Sequence, residues 1–271
     1  MNYPIIDSHC HIYPDKIASR AVEGIGKFYD LPMYYDGKYS TLVEAGGRIG
    51  VKHFIVFSVA TTPKQVHSIN QYIADAVKDS DGLLTGLGAL HPDSEDVAGD
   101  IAEILSLGLK GVKMHPDFQE FQIDDEKCYK IYEACQKNNL PVLLHTGDSR
   151  YDFSNPQRMK KVLDDFPELT VIGAHFGGWS RWQEAVETLS GYKNFYVDTS
   201  SSFDWLTADE SREMIRRYGA DHILFGTDFP MWNHETELKR FMDMKLSEEE
   251  NELILYKNAV RLFGIDESKI L

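Results

Sequence analysis

A chain of 271 residues can bury a large core and lies within the range of one α/β barrel. A composition of 42% hydrophobic and 26% charged residues excludes a disordered or low-complexity chain. The net charge of −15 would repel phosphate backbones and anionic lipids, so nucleic acid and membrane surfaces are not expected partners; an anionic small molecule is still allowed, because a metal ion reverses the field inside a pocket.

In chain order, short apolar runs alternate with longer stretches of helical period. The first expected strand, 4–9, runs out into Asp7-Ser8-His9-Cys10-His11. No basic region followed by a long apolar run precedes it and no stretch could span a bilayer, so a cytoplasmic location is expected. Residues 12–40, rich in tyrosine and glycine, read as an elaborated first loop over the barrel mouth. The second strand is expected at 53–59, where Phe-Ile-Val-Phe is apolar on both faces, as in a parallel sheet covered by helices. Thr62-Pro63 with Gln65 then opens a helix by an N-cap, a proline at the first position and a capping box. A third strand at 83–90 leads to a helix with the stripe Val97, Ile101, Ile104 and Leu105. A fourth at 109–114 leads to one with the stripe Cys128, Ile131, Tyr132 and Cys135. The fifth strand is expected at 141–145, followed by a helix opened by Asn155-Pro156, and the sixth and seventh at 170–175 and 194–199. Thr207 with Glu210 caps the next helix and Gly219 stops it before an eighth strand at 222–226. From Ser247, whose capping box uses Glu250, an added C-terminal helix runs to Gly264. The three cysteines imply neither a disulfide framework nor a thiolate zinc site: Cys128 and Cys135 sit two helical turns apart, too far to bond.

Eight βα units with no linker between them predict a single (β/α)8 TIM barrel over residues 1–271. The unit length agrees, since His115, His145 and His175 recur every 30 residues, as do Asp198 and Asp228. In such a barrel the chemistry sits at the carboxyl ends of the strands. His9, His11, His91, His115, His145 and His175 all fall there, six of ten histidines, where windows holding about a tenth of the chain would collect roughly one by chance. Strand alternation sends His9 and His11 to one side and Cys10 to the other, so the two imidazoles can chelate one ion. The fifth strand ends at His145, the sixth at His175 and the eighth at Asp228. Imidazoles plus one carboxylate make a zinc-type donor set.

These strings resemble the amidohydrolase superfamily. His-x-His on the first strand, histidines on the fifth and sixth and an aspartate on the eighth are its pattern. Gly-Val-Lys-Met-His-Pro (111–116), Leu-His-Thr-Gly (144–147), Ala-His-Phe-Gly-Gly (174–178) and Gly-Thr-Asp-Phe-Pro (226–230) are similar to its amidohydrolase-2 branch. That branch holds aminocarboxymuconate-semialdehyde decarboxylase-like decarboxylases and hydrolases. The resemblance implies that His9, His11, His145 and Asp228 are the metal ligands, with Asp228 also the general base and acid, and His175 beside the activated water. The implied activity is hydrolysis of a small-molecule amide, ester or lactone through metal-activated water. The alternative at the same site is non-oxidative decarboxylation of a small carboxylic acid. A barrel that binds a ligand without catalysis is disfavoured by the intact ligand set.

Several assignments stay open at this point. Lys113 on the fourth strand is a cation for a substrate carboxylate, a carboxylated bridge to a second metal, or a buried lysine paired with an acid. His115 binds substrate or holds its loop through Pro116. Asp198 orients a ligating histidine or ties a loop. Trp179, Arg181 and Trp182 line the pocket, with Arg181 a carboxylate clamp or a plain helix start, and Asp7 orients one imidazole. His53, His67, His222 and His234 are read as ordinary. A single divalent ion, zinc by preference, is expected, and a homo-oligomer is allowed.

Overall fold

The computed structural model describes residues 3–271. Its strands are all parallel: β1 (Ile5–His11), β2 (Val51–Phe57), β3 (Leu84–Gly86), β4 (Gly88–Ala89), β5 (Val112–Met114), β6 (Val142–Leu144), β7 (Val171–Gly173), β8 (Phe195–Asp198) and β9 (Ile223–Leu224). β1-β2-β3 pair in one run and β4 through β9 in another. The runs are continuous at one seam, because β3 and β4 are two halves of the expected third strand and Leu87 N between them donates to Val56 O at 2.9 Å. At the other seam Ser8 N donates to Phe225 O and His11 N to Phe229 O, both at 2.8 Å, and Cys10 bridges Phe229 in parallel. Eight strand positions therefore close on themselves, and the fold is the (β/α)8 TIM barrel.

The strand ends differ from the expected ones where side chains leave the ladder. β2 starts two residues early, because Val51 pairs with Ile5 and is buried. β9 stops at Leu224, since Phe225 and Gly226 turn towards β1 and the mouth. In β1 the alternation slips: Ile6 joins the barrel interior, yet Cys10 joins the outer core, and a register shift between Asp7 and Cys10 accounts for the change of phase. That shift lets both His9 and His11 face the mouth above an apolar floor.

The α-helices are α1 (Asp15–Tyr29), α2 (Tyr39–Arg48), α3 (Val66–Asp79), α4 (Val97–Ser106), α5 (Pro116–Gln119), α6 (Glu126–Lys137), α7 (Pro156–Asp165), α8 (Trp182–Leu189), α9 (Ala208–Tyr218), α10 (His234–Asp243), α11 (Glu248–Glu252) and α12 (Asn258–Phe263). The expected start signals are met. The capping boxes at Thr62, Thr207 and Ser247 form, Asn155 caps the helix that Pro156 opens, and Gly219 and Gly264 end helices with positive φ. In α4 (Val97–Ser106) the stripe is Val97, Ile101 and Ile104; Leu105 lies outside it, 42% exposed. The expected first loop holds two helices, α1 (Asp15–Tyr29) and α2 (Tyr39–Arg48). Chain after Ser247 forms α11 (Glu248–Glu252), a wider turn at Leu253–Lys257 and α12 (Asn258–Phe263). These close the barrel floor: Tyr256, Ala259, Phe263 and Ile270 pack with the interior Ile6, Ile55, Leu87, Leu143, Ile172 and Leu224. Asn258 Nδ2 donates to the carbonyls of Ala220 and Ile223, each at 2.7 Å, pinning α12 under β9. With one end plugged, the other end is left for chemistry. No helix among the described residues is long and apolar enough to cross a membrane.

Candidate metal centre

At the open end a pocket is lined by His9, His11, Lys113, His115, His145, His175 and Asp228, with Tyr29, Phe118, Trp179 and Ser201 around them. Three donor atoms converge. His9 Nε2 and His11 Nε2 are 3.3 Å apart, and Asp228 Oδ1 lies 3.4 Å from the first and 3.5 Å from the second. Ligands about 2.05 Å from a tetrahedral ion stand about 3.3–3.4 Å from each other, so this triangle has the dimensions of a zinc-type site. Burial lowers the His11 imidazole to about 4 and the His175 imidazole to about 4, so both are neutral lone-pair donors at pH 7. Asp228 is pushed up by burial, but His9 and His11 outweigh this and hold it well below the ordinary carboxylate range.

The groups behind the triangle fix its orientation. Asp198, fully buried at the end of β8, accepts from His9 Nδ1 at 2.8 Å on Oδ2, which turns Nε2 towards the triangle. Its other oxygen accepts from His175 N at 3.1 Å and Ser200 N at 3.0 Å. Asp228 Oδ2 accepts from the Ser201 hydroxyl, which is itself held by Trp232 Nε1 at 2.7 Å. Asp228 and His175 both adopt left-handed backbone, φ 56° and 61°, an unfavourable conformation that the packed strand exits hold in place. Phe57 meets His9 and His11 edge-on, with ring centroids at 5.1 and 4.8 Å, and walls the site from β2.

His145 lines the same pocket but is not drawn into the triangle. Its Nδ1 stands 3.0 Å from His175 Nε2, and its Nε2 stands 3.2 Å from Asp117 Oδ2 without the alignment of a hydrogen bond. Its donor atoms group instead with Asp117 and Asp148. Joining the ion would require His145 to give up one of these contacts. Burial, helped by Asp148, raises Asp117 to about 7.

Lys113 is buried with its Nζ 3.4 Å from His9 Nε2 and 4.9 Å over the Phe57 ring. Burial lowers it to about 8 against the pull of Asp228 and Asp198. It makes no ion pair within 4 Å among the described residues, and Asp228 and Asp198 act on it from farther away. His115 holds its loop, accepting from Phe118 N at 3.3 Å as the cap of α5 (Pro116–Gln119), and contacts the Tyr29 hydroxyl at 2.9 Å.

Other expected roles fall elsewhere. Arg181 pairs with Glu184 at 3.0 Å and does not line the pocket; it starts α8 (Trp182–Leu189). Trp179 lines the pocket, while Trp182 packs on Trp205 outside it. Asp7 touches neither imidazole of the pair: its carboxylate accepts from Thr227 and lies 3.0 Å from His234 Nε2, so that buried pair braces β1 from behind. His91 accepts from Asp93 N and stays outside the pocket. Gly147, at φ 93°, is needed where it stands, because a Cβ there would lie 2.4 Å from the Trp179 backbone.

The profile of a family described as amidohydrolase matches residues 6–265. The chain belongs to that family. It is a metal-dependent enzyme, a hydrolase or a carboxy-lyase. It is 29% identical over 248 residues to a gamma-resorcylate decarboxylase of Polaromonas sp. (strain JS666 / ATCC BAA-500), covering 73% of this chain and 75% of that one. Among solved structures, an uncharacterised TIM-barrel protein from Bordetella bronchiseptica superposes with a TM-score of 0.79 at 22% identity, over 96% of this chain and 98% of that one. A dihydroxybenzoic acid decarboxylase from Polaromonas sp. JS666, with bound manganese and the inhibitor 2-nitroresorcinol, gives 0.74 at 18% identity, over 97% of both.

Proposed function

We propose that the enzyme is a non-oxidative decarboxylase of a small hydroxyaromatic acid, acting at one divalent ion held by His9, His11 and Asp228 with His145 turning in as a further ligand. The observation that carries this reading is the likeness to a decarboxylase over three-quarters of both chains. Lys113 supports it, as a buried amine 3.4 Å from His9 Nε2 that forms no ion pair within 4 Å among the described residues. The sequence alone favoured hydrolysis of an amide, ester or lactone, and the relatives move the balance to carbon–carbon cleavage.

A divalent ion in the triangle would hold the acid's oxygens and draw electron density from the bond to be broken. Lys113 pairs with the substrate carboxylate and orients it. The apolar walls, Phe118, Trp179 and Met231 among them, exclude water and favour loss of neutral CO2 from a desolvated carboxylate. Asp228 first takes the proton of a substrate hydroxyl, which a bound ion would make acidic, leaving an oxyanion that solvent reprotonates after the product leaves. When the bond to the carboxylate breaks, its electron pair stays on carbon, and Asp228 delivers the proton there. His175 stands beside this exchange. Zinc and manganese both suit a set of two imidazoles and a carboxylate. The test is parallel measurement of CO2 and proton release on hydroxybenzoates, lactones and amides, with metal-loaded and chelator-stripped enzyme. Metal-dependent CO2 release from a hydroxybenzoate is the expected result; turnover of a lactone or amide with no CO2 from any acid would overturn the reading.

A further inference from the structure

The metal pocket has a free volume of only about 30 Å³, room for about two waters, whereas a cavity that takes benzene is about 150 Å³. Something must move to admit a ligand. The pocket's outer wall is the end of α1, through Ile25 and Tyr29, followed by Leu31 and Met33. On its other side α1 borders a groove of about 730 Å³, and Ile25 lines both spaces, so the helix is the partition between them. Only Ala18 and Val22 of its 15 residues are buried. Few buried apolar contacts mark an element that opens locally at low free energy.

One side chain ties the end of this helix to the barrel. Arg150, in the loop after β6, grips the fully buried Asp148 with Nε 3.0 Å from Oδ1 and Nη2 2.7 Å from Oδ2. Its remaining arm, Nη1, donates to the carbonyl of Phe28 in the last turn of α1 at 2.7 Å. The guanidinium also lies over the rings of Phe28 and Tyr29, at 4.9 and 5.1 Å, and 5.7 Å from Trp179. Tyr29 continues the path inward: its hydroxyl meets His115, whose ring stacks on His145 at 4.1 Å and 8°.

We propose that Arg150 is a positioning residue that latches α1 over the metal pocket, so that release of this one side chain sets how often the pocket opens. It acts through Tyr29 and the Phe28 carbonyl and touches neither ion nor substrate. The arrangement uses the shape of guanidinium: two arms satisfy the carboxylate and a third reaches the carbonyl, which an ammonium cannot do at once. The inference does not depend on which reaction the site performs.

Two variants test it. Arg150→Met removes the latch and leaves Asp148 without its partner, which carries a risk to folding. Arg150→Lys keeps a cation beside Asp148 and loses the reach to Phe28. Hydrogen exchange read peptide by peptide on metal-free protein, and release of Mn2+ into excess EDTA from manganese-loaded protein, are the two readouts. The latch predicts roughly tenfold faster exchange confined to 15–31, with strands β6 and β7 unchanged, and a similar acceleration of manganese release in Arg150→Lys. Exchange over 15–31 unchanged in Arg150→Lys, or raised equally across the whole chain, would overturn it.

Discussion

Replacing Asp198 by Asn should weaken the enzyme's hold on its ion while leaving every ligand in place. Asp198 Oδ1 accepts from two backbone N–H groups, those of His175 and Ser200, and Oδ2 accepts from His9 Nδ1. An asparagine must keep its oxygen on the two backbone donors, so its NH2 group is turned towards His9. His9 Nδ1 then becomes the acceptor, and the imidazole proton moves to Nε2, the atom aimed at the triangle. A protonated nitrogen cannot ligate. Losing such an orienting carboxylate lowers metal affinity by about 10- to 100-fold, or about 1.4–2.8 kcal/mol. The assay is competition for Zn2+ or Mn2+ against a chromophoric chelator, with the thermal midpoint of the metal-free protein as the check on folding. Affinity within about twofold of wild type, in a variant that folds normally, would refute the tautomer argument.

Three further outcomes are expected. Lys113→Met should lower CO2 release by at least about 100-fold, since the substrate carboxylate loses its counter-charge, while one ion per chain is retained with or without bicarbonate. Two ions per wild-type chain, dependent on bicarbonate and lost in Lys113→Ala, would instead identify a carboxylated lysine. His53, hydrogen-bonded to Thr85 at 2.8 Å, is lowered by burial from 6.5 to about 4, so below pH 6.5 the unfolded chain takes up a proton that the native state refuses. Its contribution to stability is therefore full above pH 6.5 and fades as the pH falls towards 4, by on the order of 3 kcal/mol. Urea unfolding should show the gap between wild type and His53→Asn narrowing from pH 7 to pH 4.5, and a gap independent of pH would count against the assignment. Phe263→Ala opens the barrel plug and should destabilise by about 3–5 kcal/mol in urea unfolding, with metal affinity changed by less than about twofold.

The sequence carried the barrel because periodicity and caps are local. The apolar runs, the Thr207 and Ser247 boxes and the proline starts each depend on a few neighbouring residues, and the histidines at strand exits followed from the strands. The missing pieces depend on contacts between distant segments. Arg181 lies close to His175 in sequence, which left a carboxylate clamp open to it beside a plain helix start, yet Arg150, from the preceding loop, stands against Trp179, and Arg181 faces Glu184 at a helix start. Helix α1 had a readable signal: Ala18, Val22, Ile25 and Tyr29 are spaced for one face, but Gly24 and Gly26 within the stretch masked it. The Ser200-Ser201-Ser202 run just after Asp198 was also a signal, since hydroxyls at a strand exit next to a carboxylate are placed to orient ligands. Asp7 and His234, 227 residues apart, could not be matched from sequence, because only barrel closure brings β1 beside the end of β9.

Diffraction from manganese-loaded crystals at the manganese absorption edge tests the centre most directly. A single anomalous peak about 2.0–2.3 Å from His9 Nε2, His11 Nε2 and Asp228 Oδ1 is the predicted result. A peak lying instead between Asp117, His145 and Asp148, with none in the triangle, would contradict it.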